Sequence, residues 1–324
     1  MSSNLRKVLL VGTGYMGVEH CKVLLSLGIK PVVVGRSRDN CLKFYEKTGI
    51  DAFDGGISKY LEKNDCSGFT AIIAVSIDSL AETAILLLNK DVKSILLEKP
   101  GAMSKEELKK IQYLAEKKSA NVFIAYNRRF YASTLAAQNI IKEDGGVKSF
   151  IFEFTEWRSD IESLKHSKEI KDIWLLANSS HVIDLAFFLG GYPKKMSSYI
   201  AGELPWHKRG AIYSGAGISD MGALFSYHAN WDAPGRWSIE ILTNKRRLIF
   251  RPMEKLQIQE LNSVTIDYYD LDDEIDKKYK PGLYYQLDAF LNFKVSNLLN
   301  LNTYLEHFDI YEKISGYTVN ENEK

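Results

Sequence analysis

An apolar run, Lys7–Val11, ends directly in a glycine–x–glycine–x–x–glycine spacing at Gly12, Gly14 and Gly17, with Val23, Leu24 and Leu27 following at helical intervals. A buried strand that must turn at once into a helix suits few architectures other than a parallel α/β sheet. In that setting the first glycine makes the tight turn, the second lets backbone approach a pyrophosphate, and the third lets the helix sit close to the sheet. The helix N-terminus then turns unpaired N–H groups and a partial positive charge toward the phosphates. A glycine-rich turn without a ligand has the same composition, so the placement between strand and helix carries the argument. Thr13, Tyr15 and Met16, interleaved with the glycines, complete the candidate dinucleotide contacts of this turn.

The first half continues in the same alternation. Strands are predicted at Lys7–Val11, Pro31–Val34, Ala71–Val75, Ser94–Leu97 and Asn121–Ala125. Helices are predicted over Tyr15–Leu27, within Asp39–Lys47, and over Ser79–Leu88 and Lys105–Lys117, the last opened by a Ser104/Glu107 capping box. With 324 residues the chain has room for two cores. The expected division is a doubly wound dinucleotide-binding domain over 1–126 and a second domain over 127–324, with a C-terminal helix around Tyr284–Leu299 packing back on the first.

The end of the second strand discriminates between nicotinamide cofactors. An Asp or Glu there would accept hydrogen bonds from the ribose hydroxyls of NAD. This chain has Gly35, Arg36, Ser37 and Arg38 instead. An arginine can pair with an extra phosphate and Ser37 can donate a hydroxyl hydrogen bond, which favours NADP(H) over NAD(H). The competing interpretation is a solvated basic loop.

Composition narrows the function classes. Lys and Arg number 42 against 41 Asp and Glu, without long blocks of one sign, so neither a nucleic-acid nor a membrane surface is expected. Cys21, Cys41 and Cys66 and the six histidines have no metal-ligand spacing, so no metal site is expected. Without a signal-like segment or a run long enough to span a bilayer, a reduced cytoplasmic protein is the expectation.

Three further segments belong together: LLEKPGAMS, with Glu98, Lys99 and Pro100 at a strand exit; YNRRF, with Asn127, Arg128 and Arg129; and SSHVIDLAFFLGG, with His181 and Asp184. In this combination the chain resembles the glucose–fructose oxidoreductase, inositol dehydrogenase and rhizopine catabolism (Gfo/Idh/MocA) family over nearly its whole length. The resemblance implies a Rossmann domain followed by an α+β domain on a large, mainly antiparallel open sheet. That sheet's free face would join subunits into a homodimer or homotetramer. It also implies that Val75, Glu98, Lys99 and Asn127 lie near the cofactor. The residues fit such a sheet on their own terms: Phe150, Phe152 and Phe154 share one side of a strand, and strands are predicted at Leu224–Ala229, Trp237–Leu242 and Arg247–Arg251.

The family pattern of Asp, three residues, His, two residues, Asp finds His181 and Asp184 here, but Ala177 stands where the first Asp is expected. Histidine can exchange protons near neutral pH. The resemblance therefore makes His181 the proton donor or base and Lys99 the group facing the nicotinamide and the substrate oxygen. Asn178 and Ser179 are polar candidates for holding the imidazole. Arg128, Trp157, Arg158, Asn178 and Trp231 are candidate substrate contacts beside Lys99 and His181, and Trp237 is expected to pack in the sheet. Aromatic faces with basic neighbours favour a sugar derivative, nucleotide-linked or acidic, over a small neutral alcohol. A cyclic non-sugar carbonyl or dihydrodiol reductase is the second enzyme reading. A cofactor-binding regulator without turnover is the third, supported only by Ala177.

Overall fold

The computed structural model describes residues 7–317, and these form two units. Of the described residues, the first holds 7–127 and takes back Ile275–Glu306; the second holds Arg128–Glu274 and 307–317. Segment 275–306, which includes the expected C-terminal helix around Tyr284–Leu299, thus groups with the first unit rather than the second. Segment 275–306 is bound to the first unit by side-chain and strand contacts. Phe290 sets its ring edge-on to Phe123 at 6.0 Å, and Leu299–Asn300 pairs antiparallel with the strand Asn121–Ala125.

The first sheet is built from β1 (Val8–Val11), β2 (Val32–Val34), β3 (Ala52–Phe53), β4 (Thr70–Ile73), β5 (Ser94–Glu98) and β6 (Asn121–Ala125). Its order is Leu299–Asn300, β6, β5, β4, β1, β2, β3, with β1 to β6 all parallel. Both faces carry helices, which is why these strands are unbroken runs of Val, Ile, Leu and Ala. Helices α1 (Tyr15–Ser26), α2 (Arg38–Thr48), α3 (Gly56–Leu61), α4 (Ile77–Asn89) and α5 (Lys105–Lys118) link the strands. Ser104 caps α5, its Oγ accepting from the Glu107 N–H, while the Glu107 carboxylate accepts from the Met103 N–H. β1 lies between β2 and β4, so the chain leaves it in opposite directions and a crevice opens at the carboxyl ends of these strands. The helix expected over Tyr284–Leu299 runs only from Leu283 to Leu291. Phe293 takes a left-handed conformation (φ 53°) that a helix cannot continue through.

The second sheet comprises β7 (Ser149–Glu153), β8 (Pro193–Ala201), β9 (Ile212–Ser219), β10 (Leu224–Asn230), β11 (Ser238–Leu242), β12 (Arg246–Phe250), β13 (Gln257–Glu260) and β14 (Asp267–Tyr268). Its order is β14, β13, β12, β11, β7, β10, β9, β8, and β7 with β10 is its parallel pair. Phe150, Phe152 and Phe154 are buried on one side. Against them lies the helix Ser180–Gly190, whose Phe187 ring stands edge-on to Phe150 at 6.0 Å and to Phe152 at 5.3 Å. The opposite face leaves Ile151, Tyr199 and Leu224 exposed. No described helix is long and apolar enough to cross a membrane.

Candidate functional site

In the first unit a cavity of about 600 Å³ lies at the carboxyl ends of the central strands. Gly12, Thr13, Gly14, Tyr15, Met16, Arg36 and Val75, all expected at a cofactor, line it. Gly12 has φ +120° and leaves no room for a side chain against the Ala74 carbonyl. Gly17 sits behind the turn, where a side chain would strike the Gly12 carbonyl, so α1 packs close to the strand end. At Gly14 the space is open, and α1 starts there without a side-chain cap or an acidic residue in its first turn. An uncapped, sterically clear helix N-terminus is what a pyrophosphate needs. The side chains and backbone therefore fit a dinucleotide.

Ser37, Arg38 and Asn127 are not among the residues that line this cavity. The Ser37 hydroxyl oxygen accepts from the Asn40 N–H at 3.4 Å and caps α2, of which Arg38 is the first residue. Asn127 donates its side-chain amide to the Pro281 carbonyl at 2.9 Å, so this group anchors segment 275–306. Asn40, Gly55, Gly56 and Ser58 do line the cavity and were not anticipated. Asn40 is on α2, while Gly55, Gly56 and Ser58 lie on or beside the short β3 and α3, which carry too little periodicity to read.

At the end of β5, Glu98 accepts a hydrogen bond from His20 Nε2 at 2.9 Å. His20 is fully buried on α1, one turn beyond Gly17. This contact ties the helix that follows the glycine turn to the residue before Lys99, and the next peptide bond, Lys99–Pro100, is cis. Replacing His20 by alanine strips a largely enclosed carboxylate of its donor. The expected loss is about 1–3 kcal/mol of stability, read in a urea melt, with weaker cofactor binding from the same loosened strand end.

In the second unit, His181 occupies the first turn of the helix Ser180–Gly190 and is 7% exposed. The preceding turn, Leu175–Ser179, is a π-helix. Asp184 does not serve His181. Its carboxylate accepts from Arg129 Nε at 2.8 Å and Nη2 at 2.6 Å, and Arg129 also donates to the Tyr192 hydroxyl at 2.8 Å. Burial alone would pull the Arg129 pKa down, but the Asp184 charge and hydrogen bonds outweigh it and raise it above the ordinary arginine value. The pair is a structural brace.

Asn178 and Ser179, expected near the imidazole, instead donate to Glu156 Oε1 at 3.0 and 2.7 Å. Glu156 is 2% exposed, and no sequence signal marks it. Its second oxygen lies 3.6 Å from Arg236 Nη1. Trp231 is 1% exposed, donates its indole N–H to the Phe154 carbonyl at 3.2 Å, stacks on Trp206 and borders a cavity shared with Trp157 and Arg158. Trp157 is half exposed, its indole N–H donated to the Gly235 carbonyl. Arg158 is paired with Asp232 at 2.6 Å. Trp237, expected in the sheet, lies one residue before β11 and packs against Arg128, Arg236 and, ring to ring at 6.5 Å, His181.

Comparison with known proteins places this architecture. Residues 6–126 match the oxidoreductase family with an NAD-binding Rossmann fold, Gfo/Idh/MocA. The match spans the N-terminal Rossmann domain, and the family is one of NAD(P)-dependent oxidoreductases. No curated protein sequence matches it. Among solved structures, levoglucosan dehydrogenase in complex with NADH is 19% identical, with 95% of each chain covered and a TM-score of 0.76. An NAD-binding oxidoreductase from Klebsiella pneumoniae is 14% identical over 98% of this chain and 97% of that one, with a TM-score of 0.77. UDP-N-acetylglucosamine 3-dehydrogenase from Acidithiobacillus ferrooxidans is 13% identical over 96% of each, with a TM-score of 0.73. At such identities the likeness is one of fold, and it extends over both units.

Proposed function

We propose that the protein is an NADP(H)-dependent oxidoreductase acting on a carbonyl or secondary hydroxyl of a sugar or sugar derivative. The observation that carries this reading is the cavity around the glycine turn, with its open helix N-terminus and Arg36 in its wall. When bound, the nicotinamide supplies or accepts hydride at its C4. Lys99, following the strand that ends in Glu98, would hold negative charge on the substrate oxygen. His181 would give that oxygen its proton in reduction and take it in oxidation. The sugar dehydrogenases among the structural neighbours support the substrate class.

The preference for NADP(H) rests on the end of β2. A side chain at Gly35 would collide with Thr13 and Cys41, so no carboxylate fits where an NAD-selecting acid would stand. Titration of NADPH and NADH into the protein should show NADPH bound more tightly. Arg36→Gln should remove about tenfold of that advantage through loss of a charge-assisted pair. A clear preference for NADH would assign the site to NAD(H) instead.

The same reading gives the open face of the second sheet to a second copy of the chain, because Tyr199 and Leu224 would otherwise stay in water. Sedimentation of a homodimer or homotetramer supports it; a monomer at micromolar concentration sinks it.

A further inference from the structure

The second unit gathers positive charge and unsatisfied donors around one indole. Trp237 is 6% exposed, and the guanidinium carbons of Arg128 and Arg236 lie 4.8 and 4.7 Å from its ring centre. Arg236 also stacks on Trp157 at 4.4 Å. Stacking holds a guanidinium plane in place and leaves its N–H edge available to a ligand. Charge is not balanced there. Arg128 makes no ion pair among the described residues, and Glu156, 3.6 Å from Arg236, already takes hydrogen bonds from Asn178 and Ser179. Of the two guanidiniums on this indole, Arg236 has a carboxylate within 4.0 Å and Arg128 has none among the described residues.

Two donors of this cluster, Arg128 Nε and Trp237 Nε1, are buried with no acceptor among the described residues. Folded proteins seldom leave such groups unanswered. A neutral hydroxyl could accept from them and would leave the extra positive charge as it was. An oxyanion does both.

We infer that Arg128, Arg236 and the Trp237 N–H form a receptor for an oxyanion, a carboxylate or a phosphate group, carried by the substrate. The ring contact of Trp237 with His181 ties this receptor to the proposed proton donor. The inference rests on the sugar oxidoreductase reading only for the molecule that bears the anion.

Calorimetric titration of the NADPH-loaded protein tests it, with D-glucuronate, D-glucose 6-phosphate and UDP-glucose as probes beside D-glucose. At least one anion should bind about tenfold or more tightly than D-glucose, as expected for a charge-assisted pair. Which anion does so separates a carboxylate from a phosphate. Arg128→Gln and Arg236→Gln should each narrow that gap by about tenfold while NADPH affinity and the circular dichroism spectrum stay unchanged. Arg128→Lys, which keeps the charge, should retain part of it, and added KCl should shrink it. If no anion outbinds D-glucose, or the glutamine variants keep the full preference, the receptor assignment is wrong. Anion binding that the variants lose, with no sugar oxidised or reduced, would overturn the redox reading and leave the receptor standing. Turnover of neutral sugars with no anion preference would do the reverse.

Discussion

His181→Ala is expected to lower kcat by about a hundred- to ten-thousandfold, the range over which a positioned acid or base acts. Lys99→Met should produce a loss of similar order by removing the cation beside the developing alkoxide. His181→Ala leaves the glycine turn untouched and should retain cofactor affinity, whereas Lys99→Met, beside the nicotinamide, is compared at saturating cofactor. That separation is the useful part of the experiment. His181 is nearly buried on the first turn of a helix and rests against Trp237, so a measured melting curve must accompany the rates. Wild-type turnover in both variants, with cofactor still bound, would remove both residues from the mechanism.

The largest effect on stability is expected at Asp184. Asp184→Asn leaves the Arg129 guanidinium buried without its counter-charge and should cost about 3–5 kcal/mol, seen as a lower urea midpoint for the second unit. Joint replacement by Arg129→Met and Asp184→Leu should recover much of that loss, since a packed apolar pair of similar volume often replaces a buried ion pair without penalty. A single variant as stable as the wild type would mean that water reaches Arg129 in solution.

Legibility followed the physics of each element. Strands buried on both faces are written as unbroken apolar runs, so β1, β2, β4, β5 and β6 could be located from composition within a residue or two. Alternation in FIFEF likewise gave away the buried face of β7. β3 and α3 have two and six residues, too few for any period, and the cofactor-cavity residues beside them went unseen with them. Contacts between residues distant in sequence leave no local mark: His20 meets Glu98 across 78 positions, and Glu156 reads as an ordinary polar residue until Asn178 and Ser179 are seen to close on it. The two tryptophans were separated by strand position alone, which missed that Trp237 stops one residue short of β11 and that Trp231 sits deeper. The π-turn explains a different difficulty. Counting four residues back from His181 to Ala177 assumes α-helical rotation, and a turn with an extra residue breaks that count.

The return of Ile275–Glu306 to the first unit has a practical consequence for dissecting this chain. The polypeptide passes between the units three times, so neither can be excised with one cut. A fragment ending at Asn127 would strip β6 of the Leu299–Asn300 pairing and leave Phe123 without Phe290. Such a fragment would present a bare hydrophobic strand edge to its own copies, a template for aggregation. The N-terminal domain is contiguous in its motif but not in its fold, and its autonomous form needs the later segment spliced back by a designed linker.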